Sequence, residues 1–208
     1  MAKPFEEFVE EYDRWYEENK DVYINEVNLI KSLLPDGLKS LEIGIGTGRF
    51  SLPLKMKIGL DPSKNMLSRA KKQGIDVVCG KGEELPFKQS KFGLVLMVTT
   101  VCFLEDVVKT FEEVYRILKK SGLFVLGIID RDSPLGREYE RKKQYNKFYK
   151  QAHFLSTKEV IELLDQCGFK IIQIKQCILP DKPISFISNG FGKGGFVGIK
   201  SKKTDLSL

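Results

Sequence analysis

Gly44, Gly46 and Gly48 stand at alternate positions, and one acid, Glu42, precedes the first of them by two residues. They lie in the segment 38–50, LKSLEIGIGTGRF, which reads as a buried strand running into a glycine turn. Bare backbone at the end of a strand lets a nucleotide-like ligand approach the main chain. Of three such glycines, one supplies positive φ, one admits the ligand, and one lets a helix pack close to the strand. A second acid, Asp61, follows the next apolar run, MKIGL at 56–60. A carboxylate at the tip of a second strand can accept both hydroxyls of a ribose. The dinucleotide pattern G-x-G-x-x-G would need its third glycine at 49, where Arg49 stands. Together these features ask for an adenosine-type ligand with free ribose hydroxyls and little or no phosphate.

Read in order, LEIGIGTGRF, GLDPS, GKGEELPF, KFGLVLMVTTVCFLED and FEEVYRILKKSGLFVLG resemble the successive motifs of a class I S-adenosylmethionine (SAM)-dependent methyltransferase. The resemblance is to the small stand-alone enzymes with an LPF motif, the type 11 group. It implies an α/β fold, Rossmann-like and doubly wound. The sheet would be seven-stranded and mostly parallel with its last strand antiparallel, carrying helices on both faces and an N-terminal helical cap. It implies SAM as cofactor, S-adenosylhomocysteine as product, and no metal. Gly44, Gly46 and Gly48 would cradle the methionine part, with Glu42 supporting its ammonium and Asp61 on the ribose. Met66 would lie near the adenine, although it reads equally well as core. Gly82 and Glu83 belong to the turn that holds the adenine ring, and Glu83 reads equally well as a solvated turn acid. Val98 and Thr99 lie on the sheet edge that would face the methionine end, with Phe103 and Leu104 near the methyl. The sequence departs from the family at Lys81 and Gly93, each where an acid is usual, and at Cys102-Phe103, where a histidine pair is common.

The elements that must position these groups alternate along the chain. Residues 1–34 read as helical, with Phe5, Phe8, Tyr12, Trp15 and Tyr16 on one face and acids on the other. The aromatic stripe either packs on the sheet or, as the resemblance implies, lines the substrate pocket, where it would suit a cation. Residues 49–54 can begin a short helix. Ser63 is a candidate cap for the next helix, and Gly74 its stop. Strands are expected at 75–79, 92–98, 123–129, 169–178 and 196–199, a helix at 106–120, and a capping box at Ser156–Glu159. Glu113 and Arg116 read as a structural ion pair. The segment 130–155 is polar and basic, with a short helical stripe at Tyr145, Phe148, Tyr149 and Ala152. By resemblance it is a lid-like insertion over the active site. His153, Tyr12 and Tyr149 are the candidates for catalytic work on the substrate side.

The chain of 208 residues, with 42% hydrophobic and 30% charged residues, reads as one globular domain over 1–208, with 1–36 as cap and 130–155 as lid. No apolar run approaches the roughly 18 residues of a membrane span, and no signal peptide is visible. Four cysteines without C-x-x-C spacing suggest reduced thiols in a cytoplasm, and one histidine leaves little for a His-based metal site. A net charge of +6 permits an anionic partner without demanding one. The expected partner is a small-molecule methyl acceptor, with nucleic acid not expected and no oligomeric state readable. The rival readings are an RNA or protein methyltransferase, a non-catalytic SAM-binding module and an NAD-dependent oxidoreductase.

Overall fold

The run FGLVLMV is apolar at nearly every position because both faces of the strand it forms are covered. In the computed structural model, which describes residues 3–205, this is β4 (Phe92–Val98). Its side chains alternate between two cores. Val95 and Met97 join Phe111, Val114 and Ile117 of α5 (Val107–Ile117) and Val160 and Leu164 of α7 (Thr157–Gln166). Leu94, Leu96 and Val98 join Leu29 and Ile30 of α3 (Lys20–Lys31) on the other face. Helices therefore cover both faces, as a doubly wound sheet requires.

The other strands are β1 (Ser40–Ile43), β2 (Ile58–Asp61), β3 (Asp76–Cys79), β5 (Leu118–Ile129), β6 (Phe169–Cys177), β7 (Ser188–Asn189) and β8 (Phe196–Lys203). The sheet order is β3-β2-β1-β4-β5-β8-β6-β7. The first five are mutually parallel, and β8 runs antiparallel between β5 and β6. Seven of these are the expected strands. The eighth, β7, is a two-residue pairing of Ser188 and Asn189 with β6.

Several boundaries differ from the sequence reading. Residues 49–54 form turns rather than a helix; Pro53 lacks the donor a helix needs there, and Lys55 closes the turns at φ +58°. The helix expected over 106–120 stops at Ile117, because Leu118 is already extended and fully buried against Phe92 of β4. The last strand runs on to Lys203, whose Nζ donates to the carbonyls of Tyr115 and Leu118. The N-terminal helical region is three helices, α1 (Lys3–Glu7), α2 (Val9–Glu18) and α3, broken at Phe8 and Asn19. The remaining helices are α4 (Lys64–Lys72), capped by Ser63, and α6 (Pro134–Lys142), capped by Ser133. The Ser156–Glu159 capping box on α7 forms in both directions.

Candidate active site

Parallel pairing of β2, β1, β4 and β5 puts their carboxyl ends on one edge, where Gly44, Gly46, Asp61, Val98 and Thr99 lie. At the end of β1 the Gly44 N–H donates to the Leu60 carbonyl at 2.7 Å. Gly44 has φ +73°, and a Cβ there would sit 2.2 Å from Thr100 Oγ1. The chain can pass here only without a side chain. Asp61, at the end of β2, accepts from the Gly46 N–H through Oδ2 and from the Ser63 N–H through Oδ1, both at 2.9 Å. Burial pushes its carboxyl up, and the two N–H groups pull it back. Each oxygen keeps a lone pair, so the carboxylate is aimed and still able to accept. Thr99, at the end of β4, is a β-branched residue at φ +47°, a conformation worth about 1–3 kcal/mol of strain. Its N–H donates to the Gly127 carbonyl, and it turns the chain along the cavity wall.

Gly82 and Glu83 also line the cavity. Glu83 is engaged rather than merely solvated: its Oε1 accepts the Glu105 N–H at 2.8 Å and the Asp106 N–H at 3.4 Å, holding the entry to α5. Lys81 turns outward to Glu105 at 3.1 Å. Met66 is 1% exposed, as a core residue is, and forms part of the cavity wall. Val98 lines the same wall, as do Phe103 and Leu104. Gly93 does not: it stands at the opposite end of β4 beneath Leu38. Glu113 and Arg116 form the expected structural pair at 2.7 Å, with Arg116 also donating to the carbonyls of Leu85 and Phe87.

Gly48 and Glu42 do not line the cavity. Gly48 faces away from the cavity, and a Cβ there would lie 2.8 Å from Ile75 Cδ1, so it is the glycine that allows close packing beside α4. Glu42 does not line the cavity either. Its carboxyl is 1% exposed and accepts a hydrogen bond from Ser51 in the loop after the glycines. Burial pushes it from 4.5 to about 8. Outside the cavity lining it does not meet an ammonium bound there, and its contact with Ser51 steadies the loop instead.

A carboxyl raised on folding takes up a proton. The associated stability is complete below pH 4.5 and is lost as pH climbs toward 8. Glu42→Gln keeps the shape and removes the ionisation. Its thermal stability relative to wild type should therefore improve between pH 5 and 8 and level off above. A difference independent of pH would contradict this assignment.

The acids on the cap helices, which read as a solvated face, are spent on the rest of the molecule. Glu6 accepts from Ser63 Oγ at 2.5 Å and from the Asn65 N–H. Glu10 meets Arg69 at 3.1 Å. Asp13 accepts from Arg49 Nε at 2.8 Å and from Thr47 Oγ1 at 2.6 Å, and Glu17 meets the same guanidinium. Arg49 thus clamps α2 onto the glycine loop, with Tyr12 Oη only 3.1 Å from where a Cβ on Gly46 would lie. Asp13→Ala leaves Arg49 and Thr47 without this acceptor. It should destabilise the protein by about 1.5–3 kcal/mol in urea unfolding. No change would mean that the clamp contributes nothing.

The segment 130–155 closes the other side. Tyr149 stacks on Phe103 at 5.9 Å, and Phe148 meets Phe5 and Tyr12 of the cap. Tyr12 and Tyr16 share a hydrogen bond of 2.9 Å, and burial pushes both hydroxyls, and that of Tyr149, well above the ordinary tyrosine range. Tyr12 and Tyr149 line the cavity. His153 does not: its side chain is exposed, and its N–H donates to the Cys102 carbonyl at 2.8 Å. Tyr145 is 84% exposed, so the expected helical stripe does not form. Several of the segment's lysines are paired, Lys142 with Glu138, Lys143 with Glu140 and Lys147 with Glu11.

Two residues escaped the sequence reading. Asp130, 2% exposed at the end of β5, accepts the N–H groups of Asp132 and Thr157 and anchors the base of the lid. Glu26 in α3 is 6% exposed and lines the cavity. Its signal was present: it lies four residues from both Val22 and Ile30, an acid on an apolar face.

The cavity has a volume of about 910 Å³ and runs from Asp61 to the cap and lid aromatics. Among the described residues no group of three or more His, Cys, Asp or Glu is placed to hold a metal ion, and no helix is long and apolar enough to cross a membrane. The model of a methyltransferase domain family matches residues 41–126. An uncharacterised protein of Methanocaldococcus jannaschii is 48% identical over 202 residues, covering 96% of this chain and 98% of that one. An uncharacterised protein of Mycobacterium tuberculosis is 34% identical over 201 residues, covering 91% and 70%. The crystal structure of a Thermotoga maritima protein, described as a SAM-dependent methyltransferase and possible histamine N-methyltransferase, superposes with a TM-score of 0.93 at 43% identity. It covers 98% of this chain and 100% of that one.

Proposed function

We propose that this chain, which belongs to the SAM-dependent methyltransferases, transfers a methyl group to a small molecule held in the cavity between sheet edge, cap and lid. The observation that carries the reading is that one cavity of about 910 Å³ is walled by Gly44, Gly46 and Asp61 of the sheet edge together with Tyr12 of the cap and Tyr149 of the lid. The family uses SAM, and the residues fit it: an aimed carboxylate at the ribose position and a backbone cradle that a Cβ at Gly44 would fill. When bound, SAM supplies a methyl carbon on a sulfonium that departs as a neutral thioether.

The chain then has to hold and align the acceptor rather than protonate a leaving group. Alignment is worth up to about 7–11 kcal/mol in favourable cases. In this reading Gly44 and Gly46 carry the methionine end, Asp61 the ribose, Met66, Gly82 and Glu83 the adenine side, and Val98 and Thr99 the wall beneath the methyl. Tyr12 and Tyr149 shape the acceptor side and exclude water. Burial keeps their hydroxyls protonated, so they serve as donors and aromatic walls, not as bases. His153 has no part in it. The helices of 1–36 and the segment 130–155 work as cap and lid of a single catalytic domain. The four cysteines, all free, suit a reducing cytoplasm.

The test is transfer of labelled methyl from SAM in the presence of a metabolite extract, total RNA or total protein. Label is expected in the low-mass fraction. Label confined to RNA or protein would overturn the small-molecule reading.

A further inference from the structure

The charged side chains that line the cavity are sorted by depth. Arg14, Lys81, Lys142 and Lys147 are exposed, the three lysines each beside an acid, and the half-buried Lys143 is taken up by Glu140 and the Ala152 carbonyl. Among the described residues, only two charged side chains in the lining are buried, Asp61 and Glu26, and both are acids. Asp61 is held by two backbone N–H groups. Glu26 has no such support: its carboxyl is pushed up to about 8 by burial alone. A buried carboxyl without a hydrogen-bond donor is costly.

Its neighbours are aromatic. Burial pushes the hydroxyls of Tyr16 of the cap and Tyr139 and Tyr149 of the lid up, Tyr139 to about 12, and the three are close enough for the charge of Glu26 to add to it. The side chain also acts on Cys177 at the end of β6. Asp61 ends β2, whereas Ile129 of the Glu26 side ends β5, three strand steps across the sheet, or about 14 Å at ordinary strand spacing. Glu26 thus belongs to the acceptor end of the cavity and not to the ribose end.

An unpaired acid among aromatic faces, with no buried cation among the described lining residues, is a receptor for a cation. We propose that Glu26 is the counter-ion of a protonated amine on the methyl acceptor, so that the acceptor is a small ammonium compound with an apolar body. This rests on the methyltransferase reading above and names its substrate class. Only a cation can form an ion pair there: an anionic group or an uncharged alcohol meets a neutral carboxyl and gains no charge partner.

The pairing has a protonic signature. At pH 7 Glu26 is largely protonated, and an ammonium beside it restores the carboxylate. Amine binding should therefore release about one proton per site at pH 7. The other titratable groups facing Glu26 are Tyr16, Tyr23, Tyr139, Tyr149 and Cys177. All are pushed up, stay protonated at that pH, and cannot be the source.

The experiment is calorimetric titration of the full chain, saturated with S-adenosylhomocysteine, in two buffers of different ionisation enthalpy. The probes are 2-phenylethylamine and tryptamine, with 2-phenylethanol and phenylacetate as neutral and anionic counterparts. The amines should bind at least ~10-fold more tightly than the alcohol, with proton release. In Glu26→Gln the amine affinity should fall by ~10-fold or more and the proton release vanish, with S-adenosylhomocysteine affinity unchanged. Glu26→Asp keeps the charge and should keep the proton release, which covers the case of a poorly folded Gln variant. The proposal is overturned if amine and alcohol bind alike, if neither amine binds the loaded wild type, or if Glu26→Gln binds amines as the wild type does. Failure of the wild type to bind S-adenosylhomocysteine would instead overturn the cofactor reading on which the proposal rests.

Discussion

Asp61→Ala is expected to abolish useful cofactor affinity. The carboxylate is fixed by the N–H groups of Gly46 and Ser63 at 2.9 Å each, so its remaining lone pairs are aimed before any ligand arrives. Two charge-assisted hydrogen bonds to ribose hydroxyls are worth about 1.5–3 kcal/mol each, which puts the loss at about 100-fold or more. The same change frees two backbone donors at the heart of the glycine loop, so the loop loses definition as well. Asp61→Asn separates the contributions, since its amide oxygen can still accept one N–H but its nitrogen can accept nothing. Calorimetry with S-adenosylhomocysteine should rank wild type well above Asn and Asn above Ala. Affinity within threefold of wild type for the Ala variant would remove Asp61 from the ribose site.

Gly44→Ala should be nearly as damaging, for a different reason. The new methyl would fall 2.2 Å from Thr100 Oγ1 and 2.8 Å from Thr100 Cβ, well inside contact distance. It would also hold an L side chain at φ +73°, which costs about 1–2 kcal/mol before any clash. Thr100 has little room to yield, because its hydroxyl donates to the Val98 carbonyl at 2.9 Å. The expected result is a lower unfolding midpoint together with weakened S-adenosylhomocysteine binding. Thr100→Gly on the same background should recover part of the stability by removing the obstructing atoms, leaving the backbone cost. No recovery would mean that the steric account of this crossing is wrong.

How much of this was legible in the sequence depends on whether a residue's partner lay within its own motif. The strand, the glycine turn and Asp61 announce themselves because their spacing along the chain is their geometry. The buried runs at 92–98 and 123–129 were readable because a strand covered on both faces needs no polar positions. Arg49 was seen only as a missing glycine. Its role as a clamp depends on Asp13 and Glu17, more than thirty residues away on a helix whose acids look like any solvated face. Glu42 was readable as an acid but not as a buried one bonded to Ser51, since the turns at 47–55 bring that hydroxyl back over the strand. His153 drew notice as the one histidine, yet composition says nothing about which way a side chain faces. The helix written over 106–120 failed at its end because Leu118 gains more by pairing with Phe92 than by continuing the helix.

One helix, α2, touches both halves of the cavity. Its acids Asp13 and Glu17 grip the glycine loop through Arg49, and its neighbouring aromatics Tyr12 and Tyr16 line the cavity. Because a helix turns as a rigid rod, no substitution can shift the aromatics without also straining the grip. A shift of α2 that moves Tyr12 or Tyr16 therefore also loads the Arg49 clamp, whereas Tyr139 and Tyr149, which belong to the lid, can be replaced while α2 keeps its hold on the loop.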